Sequence, residues 1–94
     1  MAENALQEIG VDNSLLLLDD DEPFLRRLAR AMEKRGFEVI AAQSIAEGKG
    51  AVANKPPAYA VVDLRLEDGN GLDVVEMLRE KRSDARIVVL TGYG

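Results

Sequence analysis

Ninety-four residues allow one domain, with a smaller core than that of a domain of about 100–150 residues. Net charge is −5, from 17 acids against 12 bases, so this segment lacks the basic face that direct nucleic-acid binding needs. Cysteine and histidine are both absent, which excludes disulfides, thiol chemistry and imidazole ligands and leaves oxygen donors for any metal: magnesium, calcium or manganese.

Residues 1–13 are polar and read as a flexible leader, with no basic-then-apolar signal pattern. No stretch approaches the ~18 apolar residues of a membrane helix, so the expected location is the cytoplasm, with no membrane partner. Leu15–Leu18 is a run of four leucines, followed by Asp19, Asp20, Asp21 and Glu22 without interruption. Such a run suits a parallel strand covered on both faces, with its acids just past the C-terminal end, where open α/β sheets place ligands. A helix over 23–35 follows, capped by Asp21 or Glu22, with Pro23 in its first turn and Gly36 as its stop. Its apolar set is Phe24, Leu25, Leu28, Ala31 and Met32, with Phe24 and Met32 expected in the core.

Residues 37–41 read as a short, partly polar strand near a sheet edge. Ser44-Ile45-Ala46-Glu47 is a capping-box pattern opening a helix weakened by Gly48 and Gly50 and ended by Pro56-Pro57. Tyr59–Asp63 is a second buried-type strand ending in an acid, and residues 65–70 form a turn-rich loop in which Glu67 and Asp68 read as exposed turn residues. Residues 72–82 form a third amphipathic helix facing inward through Leu72, Val75 and Leu78. Residues 86–91 are an aliphatic strand ending in Thr91. Alternating strands and helices predict βαβ units and a parallel sheet.

All strands of such a sheet end on one edge, so Asp19, Asp20, Asp63 and Thr91 should share one crevice. Any one of these acids alone reads more simply as a helix cap or a solvated loop group; three apolar runs each ending in an oxygen-bearing side chain weaken that reading for the set. The chemistry the set supports is phosphoryl transfer to a carboxylate. Asp63 would be the nucleophile. Asp19 and Asp20 would hold a magnesium ion, with a backbone carbonyl near Arg65 completing part of its shell, and the Thr91 hydroxyl would donate to a phosphoryl oxygen.

The motifs LLLLDDDEP at 15–23, VVDLRLEDGNG at 61–71 and IVVLTGYG at 87–94 resemble the receiver domain of two-component response regulators, over residues 14–94. Gly71, eight residues past Asp63, also fits. The wording LRLEDGNGLDVV is similar to the redox-responsive RegA/PrrA/ActR group. The resemblance implies a flavodoxin-like (CheY-like) three-layer αβα fold, its four strands ordered 2-1-3-4. It implies Mg2+-dependent phosphorylation of Asp63 by a sensor histidine kinase, with Asp19, Asp20, Asp63 and the Arg65 carbonyl as metal ligands and Thr91 as the switch hydroxyl. Asp21 falls outside the metal set, as a helix cap. The implied output is a conformational switch controlling DNA-binding transcription regulation, not turnover catalysis.

Two features depart from the pattern. Glu67 stands where many receivers have a proline, and the family's last helix, strand with its lysine, and final helix have no counterpart among these residues, nor does a DNA-binding domain. The expectation is therefore the N-terminal part of a receiver, less stable than a whole one. It would be prone to homodimerise or exchange elements through the edge at 87–91, and poorly phosphorylated. The alternative is an aspartyl-phosphate phosphatase or transferase on a related fold. Those enzymes carry the nucleophile in a DxDx pattern after the first strand, whereas this chain has a contiguous acidic pair there.

Overall fold

Strand β1 (Ser14–Leu18) is buried along its whole length and lies at the centre of the fold. The computed structural model describes residues 12–90. Next come α1 (Glu22–Lys34), β2 (Glu38–Ala42), α2 (Ile45–Asn54), β3 (Tyr59–Asp63), the two-residue strands β4 (Arg65–Leu66) and β5 (Gly69–Asn70), α3 (Leu72–Lys81) and β6 (Arg86–Leu90). The main sheet is parallel, in the order β2-β1-β3-β6, as predicted for its four strands. The segment over 65–70, expected as a plain loop, is instead a small antiparallel hairpin pairing Arg65 with Asn70 and Leu66 with Gly69.

The leucine run divides its side chains between two cores because successive residues of a strand face opposite ways. Leu16 and Leu18 join Val62, Val74 and Leu78 in the larger cluster, under α2 and α3. Leu15 and Leu17 meet Leu25 of α1 in the smaller one, extended by Leu28, Ala29 and Met32. The inward stripe of α1 is thus Leu25, Leu28, Ala29 and Met32, at helical i, i+3, i+4, i+7 spacing. Ala31 is exposed, and Phe24 is half-buried on the flank of the stripe and belongs to neither cluster, which corrects its expected core position. In α3 the buried residues are Val74, Val75 and Leu78, whereas Leu72, in the first turn, is 44% exposed.

The helix ends follow the residues that flank them. Asp21 accepts the Phe24 N–H and caps α1, and Gly36, at φ 100°, closes it with Phe37 N–H donating to the Met32 carbonyl and Gly36 N–H to that of Glu33. Ser44 caps α2 by accepting the Glu47 N–H, while the Glu47 carboxylate reaches back to the Gln43 N–H. At the opposite edge of the sheet, Asp12 and Asn13 are tied to the fold by side-chain hydrogen bonds. Asp12 accepts from Ser14 and pairs with Arg82 at 2.7 Å, and the Asn13 side chain donates to the Gly36 carbonyl.

Candidate metal centre

The strands β1 and β3 are parallel neighbours with Leu18 opposite Val62, so the residues that follow, Asp19 and Asp63, leave the sheet side by side. Asp19, Asp20 and Asp63 each place one carboxylate oxygen within 4.8 Å of the others. Three of the residues named from sequence are therefore brought together. Asp19 is only 9% exposed, and two contacts fix it: its N–H donates to the Ala42 carbonyl at 3.0 Å and its Oδ1 accepts the Asp21 N–H at 2.9 Å. Asp63 is half-buried and its Oδ1 accepts the Arg65 N–H at 3.1 Å. Asp21, occupied as a cap, stays out of the set.

Burial pushes the Asp19 carboxyl above its ordinary value, and the nearby charges of Asp63, Asp20 and Asp21 push it the same way; the Asp21 N–H bond opposes them. Among the described residues, no ion pair reaches these three acids. A half-enclosed group of carboxylates with no cationic side chain offsetting it is the environment in which a hard divalent cation is favoured. The donors fit such an ion.

Beyond Asp63 the chain is closed back on itself. Leu64 N–H donates to the Leu90 carbonyl and Gly71 N–H to the Leu64 carbonyl. Gly71 is buried against the end of β3, and a Cβ there would collide with the Asp63 carbonyl oxygen and press on Val62. That contact is why the position eight residues after Asp63 is glycine. Arg65 lies on β4, two residues past Asp63. Thr91 lies outside the described residues.

One tertiary contact near the site was not visible in sequence. Asp68, read as a plain turn residue, accepts the Ile45 N–H at 2.9 Å and the Ala46 N–H at 3.3 Å, so the hairpin tip caps α2 from 23 and 22 residues away. Those hydrogen bonds hold its carboxyl below the usual range. The signal available was only a carboxylate in a turn, and its partner is fixed by tertiary placement.

A three-layer α/β fold with acids converging at the ends of β1 and β3 defines a class, and the comparison with known families agrees. The chain belongs to the response regulator receiver domain family, which matches residues 15–94. It is similar to the photosynthetic apparatus regulatory protein RegA of Cereibacter sphaeroides, 73% identical over 94 residues, all of this chain and 51% of that protein. It is 62% identical over 86 residues to the acid tolerance regulatory protein ActR of Rhizobium meliloti, covering 92% of this chain and 44% of that one. The chain thus spans about half the length of these relatives. Among solved structures, it matches a response regulator protein from Burkholderia pseudomallei, described with a phosphorylated aspartic acid, a calcium ion and citrate. The TM-score is 0.81 at 37% identity, over 88% of this chain and 49% of that one. The chain is a receiver domain homologous to these regulatory proteins. No helix among the described residues is long and apolar enough to cross a membrane.

Proposed function

We propose that residues 14–94 act as the N-terminal part of a cytoplasmic receiver that takes a phosphoryl group on Asp63 from a sensor histidine kinase. The observation that carries this reading is the convergence of the Asp19, Asp20 and Asp63 oxygens within 4.8 Å. Mg2+ would be held by those three carboxylates and the Arg65 carbonyl, and would neutralise charge on the transferring phosphoryl oxygens. A carboxylate oxygen of Asp63 attacks phosphorus as the phosphoramidate P–N bond of the donor histidine breaks. An acyl phosphate remains on this chain and the nitrogen lone pair returns to the imidazole. Asp19, anchored at both its N–H and its Oδ1, keeps the acidic wall of the site fixed during this exchange. The Thr91 hydroxyl is assigned the role of donating to a phosphoryl oxygen and coupling the modification to an output in the whole regulator.

Incubation with a small phosphoramidate and Mg2+ tests the reading. Intact-mass analysis should show partial addition of one phosphoryl group, in keeping with the poor phosphorylation expected from sequence, mapped to Asp63, removed by Asp63→Asn and by chelation, and weakened by Asp20→Asn. Modification at another residue, or modification indifferent to Asp63→Asn, overturns it. Steady release of phosphate from simple phosphate esters would favour the enzyme alternative instead.

A further inference from the structure

The hairpin that follows Asp63 has only two paired positions on each strand, too few to be stable on its own. Asp68 seats its far end on α2. Its carboxylate grips the amides of Ile45 and Ala46. At the near end, Asp63 Oδ1 holds the Arg65 N–H and Gly71 N–H holds the Leu64 carbonyl. The segment is therefore fastened at its base by Asp63 and Gly71, and at its tip by Asp68. Arg65 lies on β4, between those fastenings.

We infer that Asp68 is a positioning residue for the Asp63 centre: by gripping the first amides of α2 it holds the β4–β5 hairpin, and with it the Arg65 carbonyl, in the place a divalent cation requires. This rests on the cation reading given above. Loss of the grip frees the tip, and a carbonyl carried on a two-residue strand then samples orientations that do not face the ion. Groups that orient a ligand from behind alter metal affinity even without touching the metal. Ser44 supplies the control. It caps the same helix by accepting the Glu47 N–H, yet none of its described hydrogen bonds reaches the hairpin.

The test is a titration of the intact chain with Mg2+, followed through backbone amide NMR shifts, alongside thermal melts. Asp68→Ala and Ser44→Ala should both lower the melting temperature, because each removes a cap from α2. Only Asp68→Ala should weaken Mg2+ binding, by roughly 10-fold. Asp68→Asn keeps one side-chain oxygen for the Ile45 N–H and should recover part of the affinity. Wild-type affinity in Asp68→Ala, or equal weakening in Asp68→Ala and Ser44→Ala, overturns the positioning role while leaving the cation site intact. A wild-type chain with no Mg2+ response, or one untouched by Asp20→Asn, overturns the cation reading and this inference with it.

Discussion

At Gly71 a single missing carbon decides whether β3 can end where it does. The residue is buried, its amide is spent on the Leu64 carbonyl, and the space a side chain would need is filled by the Asp63 carbonyl and Val62. Backbone cannot yield as a flexible side chain can. Gly71→Ala should therefore cost about 1–3 kcal/mol, the usual range for overpacking, and should displace the Asp63 loop. Urea unfolding gives the first quantity. Wild-type stability in that variant would mean the loop has slack that the contacts deny. Gly71 was visible in sequence as a glycine at the right distance from Asp63, but the collision that requires it was not.

Among the elements, α2 shows how one residue type can serve two ends. Both of its glycines were read as weaknesses, and the structure separates them. A Cβ on Gly48 would meet Leu18 Cδ2 and Val74 Cγ2 at 3.3 Å each, so this glycine lets α2 sit close to the core. Nothing lies within 4 Å of the same atom built on Gly50. Gly50→Ala should stabilise the chain by about 1 kcal/mol through helix propensity alone. A thermal or urea melt showing no gain would mean that α2 does not limit stability. The helices and main strands were legible because their evidence is local: apolar period, capping residues and a terminating glycine or proline. So was the acidic trio, because parallel strands must end on one edge. The β4–β5 hairpin and the Asp68 cap were not, since each depends on contacts between segments whose separation in sequence says nothing of their separation in space. The face of α1 was misjudged at Ala31 for a related reason: alanine is apolar enough to suit either side, and packing chose Ala29.

For the molecule as a whole, the end of the sheet opposite the acidic trio is closed by a polar cluster. Arg82 donates to Asp12 and to the Pro56 carbonyl, and Ser14 Oγ accepts the Ala58 N–H, tying together segments before β1, before β3 and after α3. The Ser14 hydroxyl and amide, then Arg82, hold the Asp12 carboxyl well below its ordinary value. A carboxyl depressed in the folded state stabilises folding above its unfolded value, near 4, and that contribution is lost as pH falls through the folded value. Asp19 runs the other way: its raised value means that lowering pH relieves an unfavourable charge. Asp12→Asn should cost about 1 kcal/mol at neutral pH, at the low end because the pair is partly screened by solvent. It should also flatten the fall in stability below about pH 4. Chemical denaturation at neutral and acidic pH measures both, and an unchanged acid slope would remove Asp12 from the account.

A strand of four identical leucines contains no message about its own alignment. Slide β1 by one residue or by two and leucine still meets leucine's neighbours on either side, so the interior is degenerate and the termini must break the tie. Ser14, matched to the Ala58 amide, does so at one end, and Asp19, matched to the Ala42 carbonyl and the Asp21 amide, does so at the other. The residue that supplies charge to the candidate metal centre is thus also a spelling mark, telling the central strand where to stop.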